Sequence, residues 1–405
     1  MKNLKYFLIL LYGVWFFGCD TSGRSADKDA TALSKLMPIK SPASTGSGEP
    51  NLFTDPEGTV YLSWVENTEN ESLLKFSTLD NEAWSEPRTI TSGSDWFVNW
   101  ADFPMVASDG KGHLVAHYLA KTAAGTYAYG VFMVFSHDGG KTWSEPVIPH
   151  ETETPTEHGF VSIIHWEDGY FAAWLDGRNT GEKGGAMTIR AAFMDFSGNI
   201  REEFELDDRI CDCCQTSVAL TEHGPVVLYR DRSEKEIRDM SIVRWEEGNW
   251  TAPEIIYNDN WYIPGCPVNG PVAASDGSNL AVAWYTAPDQ ESRINFSYSL
   301  DAGKSFGEPV RIDDGHPIGR VDIEMLDDGS AVVSWVEDTG VAGEIRVKHL
   351  DAEGIELDAF IIAKTSVSRA SGFPQMTRQG NKLIFAWRDV SDEENPVIKT
   401  AVYQL

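Results

Sequence analysis

Short runs of alternating apolar and polar residues recur along the chain, separated by Asp/Gly turns. Period-two alternation puts successive side chains on opposite faces of a strand. No long segment shows the 3.6-residue period of a helix, so the pattern predicts an all-β chain. One run recurs seven times, as Thr59–Trp64, His113–Tyr118, Tyr170–Trp174, Pro225–Tyr229, Asn279–Trp284, Ser330–Trp335 and Lys382–Trp387. Its closing aromatics stand 51 to 56 residues apart. That spacing predicts the four-stranded blades of a β-propeller. Each blade reads as strand A lining the channel, strand B bearing the aromatic, strand C, and strand D outermost. Seven copies predict seven blades; six blades with an irregular insert is the alternative. The last copy begins near Gly372–Met376 and runs out at Val397–Leu405, its strand C. The segment Ala32–Ser41 resembles the strand D stretch Glu145–Ile148. It is therefore expected to complete the last blade and close the ring, leaving no open sheet edge.

A second motif lies inside the repeat. Ser136-His-Asp138-Gly-Gly-Lys-Thr-Trp143 and Ser299-Leu-Asp301-Ala-Gly-Lys-Ser-Phe306 share the form Ser-x-Asp-x-Gly-x-x-aromatic, and Ser77–Trp84 is a decayed copy. Each is followed by Ser/Gly-Glu-Pro. The spacing suits a tight hairpin in which Asp accepts turn amides and the aromatic packs beneath. These residues resemble the Asp box, or BNR repeat, of sialidase-like β-propellers. The resemblance implies Asp138, Trp143, Asp301 and Phe306 as structural residues, and a carbohydrate or small anionic ligand at the channel mouth. It also implies an exo-glycosidase with an arginine triad, a Tyr–Glu nucleophile pair and an Asp acid/base. The Arg-Ile-Pro motif of those enzymes is absent. Arg178, Arg232, Arg320 and Arg388 are available as triad members, and no single Tyr is marked as the nucleophile. Sialidase catalytic domains usually have six blades, so a count of seven departs from the family.

In this topology the Asp-box turns lie on one face and the starts of strand A on the other, with the B–C loops. An acid follows the strand B aromatic by two positions at Glu66, Asp176, Asp231, Glu337 and Asp389, most simply as a local cap or ion-pair partner. Two features do not repeat. The B–C loop of blade 4 carries Arg230, Asp231, Arg232, Glu234, Glu236, Arg238 and Asp239, which form either a salt-bridged loop or arginines aimed at the mouth. Beside it the register places Cys211, Cys213 and Cys214 at the start of blade 4, and Cys266 at the start of blade 5. Disulfides, a thiolate metal site and free or redox-active thiols all fit these cysteines. An exported chain favours disulfides, although Cys213 and Cys214 are neighbours and pair poorly with each other. Thiolates alternatively bind copper or zinc, with His158 and His223 as possible nitrogen donors. Read as extended strand, Cys211 and Cys213 share one face and Cys214 takes the other. Asp102, His158, Gln215, Asn269, Arg320, Asp322 and Arg369 are the further mouth candidates.

Composition narrows the partners. A formal net charge of −29 repels phosphate backbones, so nucleic acid is not expected. Residues 1–19 read as an export signal, with Lys2 and Lys5 before the apolar run Tyr6–Phe17. The run ends at Gly18-Cys19, which resembles a bacterial lipobox and makes Cys19 the expected lipidation site. Residues 20–32 read as a flexible tether and 33–405 as the propeller. The expected location is therefore outside the cytoplasm, held to a membrane only through the lipid. The function reads as an exported sialidase-like propeller acting on or binding a glycan. The alternative is a non-catalytic binding propeller, or a copper or zinc site built on the cysteines.

Overall fold

Seven antiparallel sheets form a ring in the computed structural model. It describes residues 35–181 and 185–405; the signal-like run, Cys19 and the tether lie outside the described residues. Strands A of blades 1 to 7 begin at Gly48, Val106, His158, Ser217, Pro271, Pro317 and Gln375. Blade 3 shows the plan in full, with strands His158–Trp166, Gly169–Asp176, Met187–Asp195 and Ile200–Ile210 each antiparallel to the next. The strand Leu36–Ile39 pairs with Val397–Gln404, Leu36 opposite Tyr403 and Ile39 opposite Thr400. The first described strand thus completes the last blade, as the sequence predicts. Blade 2 is the thinnest. Its outer strand is reduced to one bridge between Met133 and Val147.

All seven repeat aromatics lie on strand B, none more than 7 % exposed. In two blades the acid two residues on has a visible physical reason. A buried indole N–H needs an acceptor. Asp176 accepts from Trp174 at 3.0 Å and Glu337 from Trp335 at 2.7 Å. Blade 5 has Thr286 at that place, and Asp259 of the preceding connection accepts from Trp284 instead, at 2.7 Å.

The turns Ser136–Trp143 and Ser299–Phe306 are built alike. Asp138 accepts from the amides of Lys141 and Thr142 and the Thr142 hydroxyl, at 2.9, 2.9 and 2.7 Å. Asp301 accepts from the Ser305 amide and hydroxyl at 2.8 and 2.6 Å. Trp143 meets Phe76 edge-on, and Phe306 packs on the core between blades 4 and 5.

On the opposite face, side chains at the blade starts tie each blade to the next. Asp102 accepts from the Phe160 amide at 2.8 Å, Gln215 from Gly270 at 3.1 Å, Asn269 from Arg320 at 2.8 Å, and Asp322 from Met376 at 2.6 Å. Phe160 and Arg320 sit at bulges with φ of 52° and 59°, each after a glycine. A Cβ on Gly159 would stand 2.1 Å from Asp102 Oδ2, and one on Gly319 2.1 Å from Asn269 Oδ1. The glycines are needed so that the caps can reach the bulged backbone. Four of the polar residues that the sequence suggests for a ligand-binding mouth are thus joints of the ring.

Candidate functional site

The mouth face is organised by the connection between blades 1 and 2, which is rich in aromatics. Trp96 stacks on Tyr118 and Phe97 on Tyr129, with centroids 4.5 and 3.9 Å apart. The segment then runs out over the channel mouth, where Trp100 and Phe103 meet Phe373 at the start of blade 7. Gln215 holds it in passing by donating to the Ala101 carbonyl at 2.7 Å. Ala101, Asp102, Phe103 and Met105 thus border a central cavity of about 250 Å³, lined mainly by the apolar residues of the inner strands. Burial pushes Asp102 up to about 8 and Asp322 up to about 7.

Three groups of side chains stand around this crossing. The first is acidic. The Tyr129 hydroxyl lies 2.6 Å from Glu157 Oε1 and 3.2 Å from Asp102 Oδ2. Burial pushes Glu157 up to about 7. The Tyr129 phenol is held well above its ordinary value by burial and by the two acids. Alongside, His150 stacks on His158, and His158 Nε2 lies 3.4 Å from Asp176 Oδ1. Burial opposes ionisation of Asp176, but bonds from Arg178, His158 and Trp174 hold it well below the carboxylate range. Burial lowers His150 to about 4.

The second group is sulfur. Strand D of blade 3 ends at Ile210 and strand A of blade 4 starts only at Ser217, so the cysteines lie in the connection between them. Residues 212–213 form a turn. This corrects the extended-strand reading: the turn brings Cys211 and Cys214 together, Sγ to Sγ 3.1 Å, rather than onto opposite faces. The three sulfurs lie within 4.8 Å of one another. Cys266, from the start of blade 5, is exposed and faces Cys213 within hydrogen-bonding range. No S–S bond joins any two of the four. The Cys211 amide donates to the Arg230 carbonyl at 2.9 Å, which ties the turn to the charged B–C loop. Burial opposes ionisation of Cys211, yet bonds from Cys213 and Cys214 and the charges of Arg230 and Arg238 hold its thiol well below the ordinary range. Cys213 is held up by its bonds to Cys211 and Cys214.

The loop above the sulfurs divides its charges. Arg232 pairs with Asp212 and Glu236 at 3.0 and 2.8 Å. Arg238, 3 % exposed, donates to Cys211 Sγ at 3.2 Å and to Glu236 at 2.8 Å. Asp239 caps the amides of Asn260 and Trp261. Burial raises Asp231 to about 6. Arg230, 1 % exposed, donates only to the carbonyls of Asn269, Arg238 and Tyr285 and lies over the Trp261 ring. It turns inward, beneath the mouth rather than into it.

The third group is a cleft of about 200 Å³ whose lining includes Trp100, Cys266, Pro267, Asn269, Arg320 and Arg369. The guanidiniums of Arg320 and Arg369 lie 5.4 and 5.7 Å from the Trp100 centroid. Arg320 is buried and bonded to Ser371 and two carbonyls, and burial lowers it to about 10. Arg369 is exposed and, among the described residues, has no carboxylate within 4.0 Å.

The structure therefore brings together Cys211, Cys213, Cys214, Cys266, Arg230 and Arg238, and separately Arg320, Arg369 and Asn269. His223 lies on the opposite face, in the A–B turn of blade 4. Arg178 is committed to Asp176, and Arg388 lies by Glu49 and the Ala370 carbonyl. Sequence reasoning passed over Trp100, Tyr129 and Glu157. The available signal was four aromatics, Trp96, Phe97, Trp100 and Phe103, in one connection.

No protein-family model and no curated protein matches the chain. Solved structures do. A protein of unknown function from Dyadobacter fermentans is 13 % identical, with a TM-score of 0.50 over 92 % of this chain and 98 % of its own. The phage phi92 endosialidase is 10 % identical, with a TM-score of 0.51 over 91 % of this chain and 69 % of its own. An alpha-L-arabinofuranosidase of Fusarium graminearum is 12 % identical, with a TM-score of 0.49 over 91 % of this chain and 97 % of its own. At these identities the similarity is one of fold.

Proposed function

We propose that this propeller binds an acidic carbohydrate on its mouth face, with Trp100 stacking on a sugar ring and Arg369 meeting the sugar carboxylate. The observation that carries this reading is the exposed, carboxylate-free Arg369 beside the Trp100 ring in a chain of net charge −29. A free guanidinium on so acidic a surface is suited to a planar anion, and an aromatic face to the apolar face of a sugar. The buried charge of Arg320 adds to the attraction. A protein of the same fold is an endosialidase. Calorimetric titration with sialyllactose and with neutral lactose tests the reading: the acidic sugar binds and Arg369→Ala weakens it. Equal binding of both sugars, or of neither, refutes it.

A second reading, hydrolysis, rests on the Tyr129 hydroxyl held between Glu157 and Asp102. A tyrosine beside a glutamic acid, with an aspartic acid at hand, is the set that the sialidase resemblance implies. Here Glu157 takes the phenolic proton and Asp102 serves as the acid. Turnover of a fluorogenic sialoside, lost in Glu157→Gln, supports it; binding without turnover leaves the first reading standing alone. We place the protein outside the cytoplasm on a lipid at Cys19. The run Tyr6–Phe17 ending at Gly18-Cys19 supports this, and loss of fatty-acid labelling in Cys19→Ala checks it.

A further inference from the structure

We propose that Cys211, Cys213 and Cys214, with Cys266 closing the set from the next blade, bind one soft d10 cation, copper(I) or zinc, as thiolates.

Geometry comes first. Three sulfurs on four consecutive residues lie within 4.8 Å of one another, because the turn at 212–213 folds Cys214 back toward Cys211. Sulfurs around one zinc or copper(I), each about 2.3 Å from the ion, stand within such distances of each other. The fourth sulfur arrives on a different connection beside Cys213 and lies outside that 4.8 Å group, so it must move inward to close the set. Sulfur-only donor sets select soft ions over magnesium or calcium.

Charge decides between thiolates and bridges. Arg230 is 1 % exposed, and among the described residues no carboxylate lies within 4.0 Å of it. Its hydrogen bonds all go to neutral carbonyls. Asp239 and Asp259 feel its charge only from farther away. Arg238, also buried, divides its guanidinium among Glu236, Asp212 at 3.7 Å and Cys211 Sγ. A buried cation without a contact anion is costly. Thiolates around a monovalent or divalent ion leave net negative charge on the sulfurs, next to Arg230 and Arg238. Two disulfides are neutral and leave Arg230 as it stands. As the ion binds, each S–H bond breaks, its proton leaves to solvent and its electron pair is donated to the metal. No electron is exchanged, so no oxidant is required.

The test uses the full chain, reduced and freed of metal. It is titrated with zinc(II), and without oxygen with copper(I), against a chromophoric chelator, and the bound ion is counted by mass spectrometry. One ion per chain is expected. Cys213→Ser and the exposed Cys266→Ser should each weaken binding at least ~10-fold. Arg238→Gln, which touches the sulfur but is not a ligand, should weaken it roughly 10–100-fold. If Cys213→Ser does not fold, Cys266→Ser gives the reading alone. The proposal is overturned if the isolated chain is four hydrogens lighter, with bridges Cys211–Cys214 and Cys213–Cys266, and the reduced chain takes up neither ion. It is also overturned if uptake survives both serine variants.

Discussion

Blades 3 and 4 carry out the same structural task in opposite ways. Both end strand B on the mouth face with a buried charged group. In blade 3 it is Asp176, met by Arg178 at 2.7 Å, by His158 at 3.4 Å and by the Trp174 indole at 3.0 Å. In blade 4 it is Arg230, one residue earlier in the repeat, met by carbonyls alone. Blade 3 is balanced by its own sequence. Blade 4 retains a positive charge, and the sulfurs gather beside it. A repeat can therefore keep its backbone and still put distinct chemistry at one blade start, by leaving one charge without a contact partner.

Four variants sharpen the contrast, from the largest expected effect to the smallest. Asp176→Ala removes a fully buried carboxylate, leaving the Trp174 indole N–H without its acceptor and Arg178 with Glu203 alone, and should cost about 3–5 kcal/mol in denaturant unfolding, with or without metal. Arg230→Met should cost roughly 1–3 kcal/mol in the metal-free chain, where it orphans three carbonyls but removes a bare charge. It should cost more in the metal-loaded chain; equal costs in the two states would erase the contrast between the blades. Asp102 is one of several buried acids that set the pH dependence, with Asp322 raised to about 7 and Glu324 to about 8. Its folded pKa, about 8, lies above the ordinary 3.8, so between those values the folded chain holds a proton that the unfolded chain has released. Its contribution to stability therefore falls as pH rises through that window, by at most about 1.4 kcal/mol per unit, and levels off above pH 8. Asp102→Asn should make that slope shallower in melts taken between pH 5 and 8, the other raised acids supplying the remainder. Arg369→Ala should weaken sialyllactose binding about tenfold, or about 1.4 kcal/mol, and leave unfolding within about 0.5 kcal/mol of the parent.

The ring was legible in the sequence because its determinants are local and repeated. One aromatic per blade, an acid two residues on and a turn motif between strands C and D fix register without knowledge of neighbours. Closure by Leu36–Ile39 was legible for the same reason, since the last copy lacks an outer strand. Repeat arithmetic put Cys266 at the start of the blade next to the triplet; it stands there beside Cys213, outside the 4.8 Å group of the other three. What the sequence hid depends on contacts between blades. Gln215, Asn269 and Asp322 look like ligand donors until each is seen capping an amide of the next blade. The Cys211–Cys214 contact needs a turn where alternation suggests a strand. Trp100 reaches Arg320 and Arg369 only because its connection crosses the mouth, and no local pattern encodes that path.

The unfolding midpoint of the reduced wild-type chain, with and without zinc(II) or copper(I), tests most directly whether sulfur completes what blade 4 lacks. A ligand that binds only the folded state, present at one hundred times its dissociation constant, raises stability by about 2.7 kcal/mol. The account predicts a rise of that order, absent from a Cys213→Ser chain. An unchanged midpoint in the wild type with both ions would contradict it.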